Sequence, residues 1–336
     1  MGGTRIKSED DLVGTFLAPL AAGFAGALGL KDDCAVLAPT PGCELVLKTD
    51  PVVAGVHFLA DDDPADIAWK ALAVNVSDLA AKGAMPRIYL MALSLPETPE
   101  RDWMARFADG LGAAQRAFGI HLAGGDTDRT PGHLSIAITV VGEVPAGRMV
   151  RRAAAESGDA LYVSGTLGDA ALGLALRLDG ALAARLGLRA DEVAHAIRRY
   201  MRPAPRLALA PVLRDYARAA MDLSDGLMKD LGRMCRAAGV GAQVLVADLP
   251  LSPAVRRALD MEPARIRDVV AAGDDYEILA AVPPAACADF ELAARRAGVA
   301  VTRIGAITSA REVCVLDAQG VPLAPGRSGW DHFEPR

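Results

Sequence analysis

Two short apolar runs stand out along the chain, Ile88-Tyr89-Leu90-Met91-Ala92-Leu93-Ser94-Leu95 and Leu134-Ser135-Ile136-Ala137-Ile138-Thr139-Val140-Val141. Each is continuous, one strand long and bounded by proline or glycine, the pattern of a buried strand. Helical periodicity lies beside them. One helix is predicted from Pro64, with Asp63 as its N-cap, through Trp69, Leu72, Val76 and Leu79 to a stop at Gly83. A second follows Thr98-Pro99 and runs to Gly119. Beyond Gly147 the pattern predicts a strand at 160–164, a helix at 168–179, a helical pair within 191–217 and a helix after Ser224. Further strands are predicted near 242–247, 277–282, 300–305 and 312–316. Strands and helices mix without regular alternation, so the fold class is α/β to α+β rather than a doubly wound sheet. The turn residues Val144-Pro145-Ala146-Gly147 divide the chain into an N-terminal domain, 1–146, and a C-terminal domain, 147–336.

Composition agrees with two domains: 336 residues at 52% hydrophobic content can bury two moderate cores. The net charge is −6, and the basic residues are scattered, so nothing resembles a nucleic-acid footprint; small molecules are the expected partners. The start, Met1-Gly2-Gly3-Thr4-Arg5-Ile6, lacks a signal-peptide core, and Ile6 breaks the myristoylation pattern. Apolar stretches are interrupted well before bilayer length, so a cytoplasmic protein with no membrane partner is expected. The five cysteines, Cys34, Cys43, Cys235, Cys287 and Cys314, form no C-x-x-C pair and read as reduced thiols without chemistry.

The chemistry gathers in short acidic turns: Asp32-Asp33, Thr49-Asp50, Ser77-Asp78, Gly124-Gly125-Asp126-Thr127, Asp222-Leu223-Ser224-Asp225-Gly226 and Gly273-Asp274-Asp275-Tyr276-Glu277. Any one of these is explained equally well by the ordinary preference of Asp for turns and caps. Asp78 is harder to explain so, because it lies inside the apolar helical stretch Ala71 to Ala80, where a carboxylate has poor propensity and a burial cost. Of the positions four residues away only Lys82 could pair with it, and a metal ion is the competing partner. Asp222 poses the same problem, and Ser224 and Asp225 then open a helix whose free N–H groups would suit a phosphate. Two carboxylates about 4 Å apart repel by roughly 4 kcal/mol at an effective dielectric of 20, which protonation or cations must resolve. Oxygen donors without a His or Cys cluster select Mg²⁺, which carboxylates usually share with substrate phosphates. The turns therefore point to nucleotide chemistry, although G-x-x-x-x-G-K-[ST], G-x-G-x-x-G and the protein-kinase signatures are all missing.

Taken in order, these turns with Lys48-Thr49-Asp50, Gly55-Val56-His57-Phe58, Asn75 to Ala84 and Gly329-Trp330-Asp331-His332-Phe333 resemble the thiamine-monophosphate kinase family over almost the whole chain. The resemblance implies the two-domain fold of aminoimidazole ribonucleotide synthetase: an N-terminal α/β domain that pairs in a homodimer and a C-terminal α+β domain. It implies ATP and several Mg²⁺ ions bound between the domains, and direct transfer of the γ-phosphate to thiamine monophosphate. By position it makes Asp32, Thr49, Asp50, Asp78, Asp126, Asp222 and Asp225 metal ligands. Gly125, Asp126, Arg152 and Ser224 become ATP contacts, and His57, Asp274 and Trp330 substrate contacts. Asp78, Asp126 and Asp222 are the expected catalytic centre. The chain departs from the family pattern at Lys31, where glycine is usual, at Lys48, where a small Ser-like residue is usual, and at Asp274, where Glu is more usual. Lys48 either supplies charge in place of part of the metal shell or points to solvent.

A phosphate monoester is largely ionised at neutral pH, so this reaction needs alignment and charge cancellation rather than a general base. Arg152, in the cluster Arg148, Arg151 and Arg152, suits a phosphate fork, though such clusters are often solvated surface. His57 also fits a core histidine. Trp330 offers an indole face to a planar thiazolium cation, or anchors the tail. Relatives of the same fold fit less well. Selenophosphate synthetase wants a reactive Cys or selenocysteine near the N-terminus, and the hydrogenase-maturation dehydratase a C-terminal Cys. Aminoimidazole ribonucleotide synthetase leaves Tyr276 and Trp330 unexplained. A non-catalytic sensor is disfavoured because every expected aspartate is present.

Overall fold

The computed structural model describes residues 5–317, 319–323 and 329–330, so the start of the chain and the Asp331-His332-Phe333 part of the last motif lie outside the described residues. The chain forms two units, Met1–Leu79 with Ala84–Gly147, and Ala80–Gly83 with Arg148–Arg336.

The first unit is built on a four-stranded sheet of β1 (Cys43–Val53), β2 (Met85–Leu95), β3 (His121–Arg129) and β4 (Ser135–Pro145), in the order β1-β4-β2-β3. β4 runs antiparallel to both neighbours; β2 and β3 are parallel and joined through the helix Arg101–Phe118. That helix and Pro64–Ala81 lie on one face of the sheet. Tyr89 donates its hydroxyl to Gln115 at 2.9 Å, and Trp69 meets Phe118 edge-on at 5.1 Å. A Cβ on Gly110 would come within 2.3 Å of the Ala65 carbonyl, so glycine sets how closely the two helices pack. Strand alternation turns Val46, Lys48, Asp50 and Val52 of β1 toward the helices, and Leu45, Leu47, Thr49 and Pro51 to the other face, which is exposed along β1. Pro51 is tolerated because β1 is an edge strand.

The second unit carries six strands, β5 (Ala160–Ser164), β6 (Ala219–Asp222), β7 (Gly241–Leu245), β8 (Ile278–Val282), β9 (Val301–Thr308) and β10 (Val313–Leu316), in the order β10-β7-β9-β5-β8-β6. β5, β6 and β8 are buried at every position because both faces are covered. Leu161, Val163, Met221 and Leu279 pack into one core with the helices Asp169–Leu178, Ala190–Met201, Leu227–Ala238 and Pro253–Met261. Ala160, Tyr162, Ala220 and Ala280 face the opposite core, with Ala210–Tyr216 and Cys287–Arg296.

Both runs singled out by pattern are strands, and the helices expected from Pro64 and after Pro99 form. β1, β3 and β6 were not expected, nor was the helix Cys287–Arg296. The helix expected at Ser224 begins only at Leu227, because Gly226 takes a φ of 110° ahead of it. Among the described residues no helix is long and apolar enough to cross a membrane.

Candidate active site

On β1, Lys48 and Asp50 are two residues apart and share the helix-facing side, where Asp78 meets them. The Lys48 ammonium lies 3.0 Å from the Asp50 carboxylate and 2.9 Å from that of Asp78. Asp78 is therefore matched by a lysine from the neighbouring strand. Lys82, the partner expected along the helix, donates instead to the Ala220 carbonyl at 2.7 Å. The two carboxylate oxygens are held within ~6 Å, where unit charges repel by about 3 kcal/mol at an effective dielectric of 20; the ammonium offsets that repulsion. Burial alone would lower the Lys48 pKa, but Asp78 and then Asp50 hold it above the usual lysine range. One turn earlier on the helix the fully buried Asn75 accepts from the Asp50 amide at 2.8 Å and donates to its carbonyl at 3.3 Å, which locks strand to helix at this point. Thr49 points to the other face, hydrogen-bonded to Thr139 at 3.0 Å, and is not brought to the Asp50–Asp78 pair. Just past β1, His57 Nδ1 accepts from the Val53 amide at 3.0 Å, so the neutral ring carries its proton on Nε2.

Gly125 and Asp126 lie on β3, the opposite edge strand. Asp50, Ile138, Met91 and Gly125 form one row across the sheet. Three strand spacings put about 14 Å between the ends of that row. Glycine is required at 125: φ is 153°, and a Cβ would sit 1.9 Å from the Met91 carbonyl oxygen. Asp126 and Asp32 line one cavity of about 640 Å³ with Glu9, Asp10 and Asp33. Lys31 beside them is exposed and pairs with no carboxylate among the described residues. The N-terminal acids thus fall into two groups, Asp50 with Asp78 and Asp32 with Asp126.

In the second unit Asp222 ends β6, buried to 5% exposure. The Ser224 and Asp225 amides, expected to be open to a phosphate, both donate to the Asp230 carboxylate, at 3.0 and 2.8 Å. Asp230 is fully buried, which raises its pKa, and its other oxygen pairs with Arg233 at 2.8 Å. Arg233 also pairs with Asp225. The sequence did carry a signal for Asp230: it stands on the apolar stripe Leu227, Leu231, Met234, where a charge needs a reason.

The turn 273–277 is laced onto the turn 222–226. Asp274 donates its amide to Ser224, Tyr276 to Leu223, and Leu223 to Glu277, at 2.9, 2.9 and 2.8 Å. Asp274 and Tyr276 hold φ of 72° and 50°, strain that the surroundings must impose. Glu277 supplies much of it: the fully buried carboxylate accepts from Ser164 at 2.6 Å, Arg199 at 2.8 Å and Arg206 at 2.6 Å, while Arg199 also binds the Asp275 carbonyl at 2.9 Å. Trp330 joins the group, its amide donating to the Asp225 carbonyl at 2.9 Å and its carbonyl accepting from Lys229. The residue is 37% exposed. Arg152 is exposed at the start of a short turn packed against the helix Leu227–Ala238. Cys235 is inert: burial pushes its thiol up to about 11.

The donors fit Mg²⁺ by type, being aspartate and threonine oxygens. No three His, Cys, Asp or Glu side chains among the described residues converge on one cation, so each Mg²⁺ would have one or two carboxylates and complete its shell with phosphate and water. Asp32, Asp126 and Asp222 fit that role; Asp50 and Asp78 already share Lys48, and Asp225 pairs with Arg233.

This pair of units, a four-stranded mixed sheet under two helices and a six-stranded sheet covered on both faces, defines an aminoimidazole ribonucleotide synthetase-like protein. Residues 31–144 match the family "AIR synthase related protein, N-terminal domain", and 156–317 its "C-terminal domain". The chain is 44% identical to thiamine-monophosphate kinase of Salmonella typhimurium over 306 residues, 91% of each chain. The crystal structure of thiamine-monophosphate kinase from Stenotrophomonas maltophilia K279a aligns with a TM-score of 0.79 at 40% identity, covering 88% of this chain and 91% of that one. AaThiL complexed with AMPPCP and TMP aligns with a TM-score of 0.75 at 32% identity, covering 90% and 91%. The chain belongs to the thiamine-monophosphate kinase family and is an enzyme of the phosphotransferase class.

Proposed function

We propose that the enzyme transfers the γ-phosphate of ATP in line to thiamine monophosphate, giving thiamine diphosphate, the last step in making that cofactor. The observation that carries this reading is the lacing of three segments distant in sequence, 222–226, 273–277 and 329–330, into one strained group of backbone that carries Asp222, Asp274 and Trp330. Such strain is retained where a ligand needs fixed positions. The solved AaThiL complex with AMPPCP and TMP supports the same pair of ligands here.

In this reading the N-terminal domain, 1–146, binds nucleotide and metal, and the C-terminal domain, 147–336, completes the site. Gly125, Asp126, Arg152 and Ser224 contact ATP, Ser224 through its hydroxyl because its amide is taken by Asp230. His57 donates from Nε2 to the substrate phosphate, Asp274 holds the substrate, and Trp330 stacks on the thiazolium. Asp32, Asp126 and Asp222 hold Mg²⁺ ions outright, Asp50 and Asp78 lend the oxygens that Lys48 leaves open, Asp225 stays paired with Arg233 and Thr49 faces away; Asp78, Asp126 and Asp222 lie nearest the transfer. Bound Mg²⁺ would cancel charge between the two phosphates, and the residues align them. Leu45, Leu47 and Leu90 leave an apolar outer face on the first sheet, which supports a homodimer paired there.

The test is a coupled turnover assay with purified protein, ATP, Mg²⁺ and thiamine monophosphate, run beside thiamine and aminoimidazole-pathway substrates, with thiamine diphosphate quantified directly. Thiamine diphosphate formed in equal amount to ADP supports the proposal. ATP binding without turnover on any acceptor replaces it with a sensor.

A further inference from the structure

Lys48 stands between the Asp50 and Asp78 carboxylates and pairs with both. Its ammonium is within 3.0 Å of both Asp50 and Asp78, and its place is fixed from three sides. Strand alternation turns Lys48 and Asp50 to the same face. Asn75 ties the Asp50 backbone to the helix through both its amide and its carbonyl. Asp78 is the single position from Ala71 to Ala81 that is not fully buried, so the helix opens to Lys48 there alone. A lysine that merely pointed to solvent would not be two-thirds covered between two carboxylates. We propose that Lys48 is a built-in cation for the Asp50–Asp78 pair, taking the place of one divalent ion, so that the wild-type enzyme binds one Mg²⁺ fewer than the same site without the lysine.

The chemistry is consistent. Two carboxylates facing one ammonium retain one net negative charge, whereas a divalent ion would leave none. The ammonium has three N–H donors, of which the carboxylates engage two, and the third can meet a phosphate oxygen. It cannot supply octahedral geometry or metal-bound water, so it substitutes for a cation's charge and not for its coordination.

The proposal rests on the magnesium reading given above, and the test separates the two. Mn²⁺ as the probe is titrated into intact wild-type protein and Lys48→Ser, each with a nonhydrolysable ATP analogue, and bound ions per chain are counted by electron paramagnetic resonance and calorimetry. Lys48→Ser is expected to gain one site over wild type, Lys48→Arg to gain none, and Lys48→Ser/Asp78→Asn to lose the gained site. Thermal unfolding gives a second readout: Lys48→Ser should melt lower in chelator and recover with Mg²⁺, while wild type responds less. Should Lys48→Ser not fold, Lys48→Met keeps the alkyl stem without the charge and is counted in its place. Equal counts and affinities in wild type and the uncharged variant, with Mn²⁺ bound in both, overturn the role of Lys48 and leave the magnesium reading standing. No Mn²⁺ bound by either protein overturns both.

Discussion

Asp78 and Asp222 each sit where an uncompensated carboxylate is costly, one within the otherwise buried stretch Ala71–Ala81 and one at the end of a strand at 5% exposure. Asparagine keeps the shape and removes the charge. Asp78→Asn and Asp222→Asn should each lower kcat by on the order of 10²-fold or more, the scale of losing one electrostatic contact to a transition state. Circular dichroism and melting should stay near wild type, and near-normal activity in both variants would remove the metal assignment. Trp330 makes a different kind of contact. Its backbone is pinned to Asp225 while its ring stays partly open, so the ring can meet a ligand without moving the chain. A cation over an indole contributes roughly 1–2 kcal/mol when desolvated, so Trp330→Ala should raise KM for thiamine monophosphate about tenfold and leave that for ATP nearly unchanged. Equal rises in both would mean that Trp330 only anchors the tail.

At the level of elements, the acidic turns are held by groups that do not themselves meet substrate. Asp230 accepts two amides that no other described group takes up, and removing it leaves both unsatisfied beside Arg233. Each buried donor left unpaired costs about 1–3 kcal/mol. With two donors left unpaired, Asp230→Ala should therefore lower Tm by roughly 4–24 °C at about 2–4 °C per kcal/mol for a unit of this size. Asp230→Asn, which keeps an acceptor, should lose less, and a melting comparison of the two decides it. The same elements show what sequence reading reaches. β2 and β4 were legible because their sequences are apolar nearly throughout. β1 and β3 were not, because Lys48, Thr49, Asp50 and Pro51 interrupt the one and Gly124, Gly125 and Asp126 the other, in places where local propensity and the site disagree. The partner of Asp78 escaped for a related reason. Spacing along a helix reveals only i±3 and i±4 neighbours, and Lys48 reaches Asp78 from another element. The motifs marked Glu277 as part of an acidic turn, but not Arg199 and Arg206, which pair with it and fix the geometry of that turn.

For the molecule as a whole, pH tests whether that buried network is as dry as its packing indicates. Burial pushes the Asp275 carboxyl up to about 7, against the pull of the Gly168 amide and of Arg199, with Asp169 and Glu277 adding to the rise. Its unfolded value is near 3.8. Between those two values the folded protein keeps a proton that the unfolded chain has already lost, so stability is complete below the unfolded value and is lost as pH rises toward 7. Other carboxylates act in the opposite sense. The Arg189 amide and, against partial burial, Arg257 hold Glu192 low, and Arg185 does the same for Asp179, so their contribution is present above the unfolded value and disappears as pH falls. Stability should therefore pass through a maximum on the mildly acidic side of neutral rather than at pH 8. Asp275→Asn retains an acceptor for the Gly168 amide but cannot ionise. The whole shift corresponds to about 4 kcal/mol, of which about 3 kcal/mol is lost between pH 5 and 8, so the wild-type Tm should fall by roughly 6–12 °C over that range from this group. Asp275→Asn should flatten that fall while leaving the acid side unchanged. Parallel Tm curves for the two proteins would show that water reaches Asp275, and the turn carrying Asp274 would then be held by Glu277 and its arginines without a dry core behind it.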